Sequence, residues 1–212
     1  MGDALHCFEY GELSSALIRR SEADVRRLLG QSSDYIYERG HQGQTPLHIS
    51  AGWPQGLNIL FELAGDLCRS IINTVESTGI APINCAIHLH QTESIIILLK
   101  HGAAIDLEDT SVYFPTNRDG ETDPQTKEVC DLLAATLANR RKELLQYALM
   151  QLAESDVVRF DLRDISMLQH NAFEVVETMK SKGIQLPVMC GSVRQGLASM
   201  LLIRIGMDTH LC

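Results

Sequence analysis

Apolar residues recur at three- and four-residue steps through several separate stretches of the chain, the spacing that gives a helix one buried face. Leu13 to Arg20 reads as one short helix, and Ala23 to Leu29 as the next, with Gly30 as the stop. Residues 45–65 and 81–102 each read as two helices joined by a turn. Beyond them, Val129, Leu132, Leu133, Leu137, Leu144, Leu145, Ala148, Leu149 and Leu152 mark a long helix opened by Asp123 and Pro124. Ile165, Leu168, Ala172, Val175, Val176 and Met179 mark another, closed by Gly183 and Pro187. A last apolar run, Leu197, Met200, Leu201, Leu202 and Ile205, reads as a helix near the end of the chain.

Two of these stretches answer each other. Gly43-Gln44-Thr45-Pro46-Leu47-His48 opens the first, and Gly79-Ile80-Ala81-Pro82-Ile83-Asn84 opens the second, with the prolines 36 residues apart (46 to 82). Thr45 is placed to cap a helix, and Pro46 to occupy its first turn, where a missing N–H costs nothing. Gly52-Trp53-Pro54-Gln55-Gly56 breaks the chain, and a second amphipathic helix returns. Gly65 and Gly102 stand where such a helix ends in the left-handed conformation. Each pair leaves an apolar flank bare, so it needs neighbours on both sides.

The opening Gly43 to His48 resembles the start of an ankyrin repeat, and Leu98-Leu99-Lys100-His101-Gly102-Ala103 resembles its end. The second copy departs from the family pattern at Ala81 and Asn84, and the stretch from Asp66 to Thr78 is longer than the family norm. Leu137-Ala138-Asn139-Arg140-Arg141 is similar to a helix that interrupts the array in fungal ankyrin-repeat proteins before repeats resume. The resemblance implies structural roles for Thr45, Pro46, Leu47, His48, Pro82 and Gly102, with His48 bonding the backbone of the neighbouring loop. It also implies a docking surface made by loop tips and one set of helices. On that surface the partner-binding candidates are Arg39, His41, Gln42, Gln44, Trp53, Gln55, Glu76, Ser77, His90 and Gln91. For Trp53, the only tryptophan, a packing role and a contact role both stand.

Composition narrows the function. Apolar residues make up 45% of the chain and aromatic ones 5%, which suits stacked helices better than a β-sandwich. A net charge of −9 argues against nucleic acid, whose affinity comes from cations neutralising phosphates. Arg140-Arg141-Lys142 is too short a basic run to change that, and reads as a solvated helix face. Six scattered cysteines without a Cys-x-x-Cys pair, no visible leader and no long apolar run lead us to expect an intracellular, reduced protein, cytoplasmic or nuclear, away from membranes. Cys85, His88 and His90 lack the second ligand pair a zinc site needs. The sequence holds no nucleophile elbow, phosphate loop or His-Glu-x-x-His.

The expectation is therefore an all-α chain without catalytic residues, metal or cofactor. It comprises a short ankyrin solenoid over 1–106 (a degenerate N-terminal cap plus two repeats), an acidic linker over 107–124 and a helical extension over 125–212. Its function is read as docking an unidentified protein partner. Two alternatives stay open: a truncated repeat fragment that self-associates through its C-terminal helices, and an adaptor that delivers a separate enzyme.

Overall fold

The computed structural model describes residues 10–104, 124–162 and 168–186. The chain divides into two compact units, Met1–Ala104 and Ile105–Cys212. Among the described residues every regular element is a helix, so this part of the chain is all-α. None of these helices is long and apolar enough to cross a membrane. The acidic stretch 107–123 and the apolar run from Leu197 to Ile205 lie outside the described residues.

In the first unit, six helices form three consecutive pairs: α1 (Glu12–Ile18) with α2 (Glu22–Gln31), α3 (Pro46–Ile49) with α4 (Pro54–Ile71), and α5 (Pro82–His88) with α6 (Thr92–Lys100). Helices α1, α3 and α5 pack in sequence as one layer, and α2, α4 and α6 as a second. Between the layers, Leu13, Leu17, Leu28, Leu47, Leu57, Leu60, Ile83, Ile87, Ile95 and Leu98 are fully buried. Each such side chain contributes roughly 1.5–3 kcal/mol by leaving water, so the pairs hold one another up through shared apolar flanks.

The first and third pairs turn the chain in the same way. Arg20 N–H donates to Leu17 O (3.0 Å) and Ser21 N–H to Ala16 O (3.0 Å), while His90 N–H donates to Ile87 O (3.0 Å) and Gln91 N–H to Ala86 O (2.9 Å). Both turns place a non-glycine residue in the left-handed region, Arg20 at φ 55° and His90 at φ 51°. The middle pair uses a 3₁₀ turn at Ser50–Gly52 instead, followed by Trp53. Trp53 lies against Gly56 so closely that a Cβ there would meet its ring.

Two glycines behave differently from expectation. The helix break expected at Gly65 comes one residue earlier, where two helical stretches of α4 meet at a kink at Ala64 (φ −138°, ψ 36°), and Gly65 itself is not left-handed. Cys68, Ile71 and Ile72 are buried beyond the kink, which favours a second helical stretch there. The stop read at Gly30 falls inside α2, which ends at Gln31 with Ser32 as its C-cap. Gly102 does take the left-handed conformation, at φ 97°.

The second unit contains α7 (Pro124–Gln151), α8 (Glu154–Arg159) and α9 (Leu168–Ser181). Leu144, Leu145, Ala148 and Leu152 form a core with Val157, Phe160, Leu162, Val175, Val176 and Met179. Helix α8 was not separated from its neighbours by periodicity, because six residues are too few to show a period. Its end repeats the bond pattern of α1 and α5: Asp161 N–H donates to Val158 O (3.1 Å), Leu162 N–H to Val157 O (3.0 Å), and Asp161 stands at φ 48°. The end of α9 repeats that of α6, with Gly183 N–H on Lys180 O (2.9 Å) and Ile184 N–H on Met179 O (3.0 Å), against Gly102 N–H on Leu99 O (3.2 Å) and Ala103 N–H on Leu98 O (3.0 Å).

The basic run in α7 needs correction. Arg140 is buried at 3% exposure and Arg141 half-buried, leaving only Lys142 on a solvated face. The cause is helix geometry: residue 140 lies seven after Leu133 and four before Leu144, both fully buried, and so shares their face.

Candidate docking surface

Helices α3 and α5 begin at matching backbone conformations, Thr45 at φ −84°, ψ 164° and Ala81 at φ −92°, ψ 162°. Pro46 and Pro82 follow as buried first-turn residues. At α3, Thr45 N–H donates to His48 Nδ1 (3.0 Å), and the Thr45 hydroxyl lies 2.8 Å from the same nitrogen. With Nδ1 accepting, Nε2 carries the proton and donates to the Ile80 carbonyl, 3.0 Å away in the next turn. Burial holds the His48 pKa below its ordinary value, against the pull of the Ile80 carbonyl and of Glu76. At α5, Asn84 keeps half of this arrangement, its Oδ1 accepting the Ala81 N–H at 3.3 Å.

The turns ahead of these helices match as well. Gly40 N–H donates to Gln44 O (2.9 Å) and Gly43 N–H to Gly40 O (2.9 Å); Glu76 N–H donates to Ile80 O (2.9 Å) and Gly79 N–H to Glu76 O (2.9 Å). Gly43 (φ 78°) and Gly79 (φ 87°) supply the left-handed residue each turn needs. The two turns are joined edge to edge by Ser77 N–H on Gln42 O at 2.8 Å.

The ten candidates therefore fall into two groups rather than one. Arg39, His41, Gln42, Gln44, Glu76 and Ser77 gather at the N-terminal ends of α3 and α5. Trp53, Gln55, His90 and Gln91 lie past their C-terminal ends, about 10 Å away for a seven-residue helix such as α5. Arg39, His41, Gln42, Gln55 and Ser77 are exposed; Gln44, Trp53, His90 and Gln91 are half-buried. Glu76 is buried, and its carboxylate accepts the Thr78 amide (3.0 Å) and hydroxyl. Burial pushes the Glu76 carboxyl up, but these bonds and the nearby His48 outweigh it and hold it below the usual carboxylate range.

One residue that matters here was missed in the sequence. The Glu38 carboxylate reaches across to the start of α1 and accepts the amides of Leu13 (3.1 Å) and Ser14 (2.9 Å). Gly11 leaves the room for it, since a Cβ there would collide with the carboxyl group. No signal in the sequence could have paired positions so far apart, apart from Gly11 standing where a capping side chain is usual.

The thiols near this surface are not activated. Burial pushes Cys85 up to about 11 and Cys68 up to about 12, and Cys68 donates to the Leu60 carbonyl (3.4 Å) at the α4 kink. Set beside known proteins, the chain matches no family model and no curated relative.

Proposed function

We propose that the first unit is a short ankyrin-type repeat array and that the chain acts without catalysis, by docking a protein partner on the solvent side of the α1, α3 and α5 layer and its turns. The observation that carries this reading is the pair of links between consecutive turns, His48 Nε2–H on Ile80 O and Ser77 N–H on Gln42 O. Such links fix the turns relative to each other before any partner arrives, so docking costs little conformational entropy. The matching ends of α5 and α8, and of α6 and α9, support a return of the same helix-pair unit after α7. The stretch noted between Asp66 and Thr78 begins with the part of α4 beyond its Ala64 kink, Asp66 to Ile71.

The test is affinity capture from the source cell with mass spectrometry, run with the native chain, Trp53→Ala and Leu89→Asp. Leu89 is 49% exposed on the layer, so its change leaves the core intact. Loss of the same partners with Leu89→Asp supports the reading, and an unchanged list from both variants contradicts it. A second reading, self-association, is favoured by Met150 and Val158, which are 71% and 65% exposed in the second unit. Light scattering decides it: a monomer at high concentration removes this second reading.

A further inference from the structure

Charge in the first unit is sorted by layer, although the whole chain carries −9. Acidic side chains exposed or half-exposed on the second layer and the 3₁₀ turn that follows α2 are Glu22, Asp24, Asp34, Glu62, Asp66 and Glu93. Most are matched in place: Arg26 bonds both Glu22 (2.9 Å) and Glu62 (3.0 Å), Arg27 bonds Asp24 (3.3 Å) and Arg69 bonds Asp66 (2.6 Å), with Lys100 also exposed there, so this side is acidic only in excess. On the first layer and its turns the balance reverses. Two acids there are turned inward: Glu38 caps α1, and Glu76 is buried against Thr78. What faces solvent is Glu12 against Arg19, which also pairs with Asp24 (3.9 Å), and Arg20 past the C-terminal end of α1, and against Arg39 and His41 in the turn ahead of α3. Arg39 is held in place by its bonds to the Tyr37 and Glu38 carbonyls (3.3 and 3.1 Å), and Arg20 by its bond to Gly52 O (3.1 Å). Ile18 and Leu89, at 39% and 49% exposure, and the half-buried Ile49 stand at the C-terminal ends of α1, α5 and α3 on the side of Arg19 and Arg20, with Arg39 at the other end of the layer.

From this arrangement we infer that the first layer takes an acidic peptide segment with apolar side chains, its carboxylates meeting the arginines and its apolar residues lying on Ile18, Ile49 and Leu89. The inference rests on the docking function proposed above and adds the chemistry of the partner. Fixed guanidinium groups recognise carboxylates well because their planar donors are already oriented. A basic segment would bring like charges against these arginines, and a neutral one would gain nothing from their net positive charge, which disfavours both.

A library of displayed random peptides of about twelve residues, long enough to cross three helices in extended form, tests this with the full chain as bait. Selected peptides are then measured against the native chain, Arg19→Glu with Arg39→Glu, Arg39→Gln alone, Leu89→Asp and Glu62→Lys, with circular dichroism confirming that each variant is folded. The expected result is acidic peptides bearing two or more apolar residues. Their affinity should fall about tenfold or more on the double charge reversal, fall less with Arg39→Gln, stay unchanged with Glu62→Lys and weaken in added salt. Neutral or basic peptides that still lose binding with Leu89→Asp overturn the charge inference and leave the docking surface standing. Peptides indifferent to every first-layer variant, or no selected peptide at all, overturn both.

Discussion

Helices α3 and α5 occupy matching places in the fold with different residues at the positions that define them. At α3, Thr45 and His48 bond each other, and His48 goes on to tie the helix to the turn ahead. At α5, Ala81 offers no side-chain cap, and Asn84 returns one bond to the Ala81 amide without the onward link. The backbone is nearly the same in both. The comparison teaches that the position requires an acceptor reaching back to the helix start; histidine adds the tie to the neighbour. Asparagine meets the first need alone.

The largest effects should be shared by both helices. Leu47→Ala and Ile83→Ala each remove a buried side chain between the layers, and each should cost about 2–5 kcal/mol in urea unfolding. A cost at one site and none at the other would break the equivalence. Next comes His48→Asn, which makes α3 resemble α5. It should cost about 1–2 kcal/mol by leaving the Ile80 carbonyl without its imidazole donor, while the helix start survives in circular dichroism.

The same substitution sharpens the comparison through pH. The folded state holds His48 neutral, with its pKa below the unfolded value of about 6.5. The unfolded chain therefore binds more protons as pH falls through that value, and stability is lost on acidification from pH 7 to 5. His101, whose pKa is lowered by burial and by Arg69 and Lys100, adds to the loss in the same direction. In His48→Asn the acid loss should shrink, and an unaltered pH profile would remove His48 as a cause. In the opposite sense, Ala81→Thr gives α5 the cap it lacks and should raise stability by about 0.5–1 kcal/mol. The smallest effect is expected from His90→Gly, which relieves a left-handed backbone and should gain about 0.5 kcal/mol after the entropy of glycine is counted.

The sequence was most legible where chemistry is local. Thr45, Pro46 and the apolar spacing around Leu47 and Leu60 located helix starts and faces, because capping and amphipathicity depend on neighbours a few residues apart. It was least legible where distant groups decide. Gly65 carried a correct local signal for a break, which falls at Ala64, but the helical stretch beyond it depends on the burial of Cys68, Ile71 and Ile72. Arg140 looked solvated by type, yet fell on the face of Leu133 and Leu144. Among the surface candidates, residue type picked out Glu76 as exposed, whereas its bonds to Thr78 turn it inward. Glu38 was invisible because its partners, Leu13 and Ser14, are more than twenty residues away.

Side-by-side packing of successive helix pairs is the claim on which the proposed docking surface depends, and α4 and the end of α6 carry a direct marker of it. The rings of Phe61 and His101 stack with centroids 3.8 Å apart and planes within 5°. A nuclear Overhauser spectrum of the aromatic region reads that contact in solution. Strong cross-peaks between the Phe61 and His101 rings are expected; their absence, with the contacts of each ring to its own helix present, would contradict the stacking.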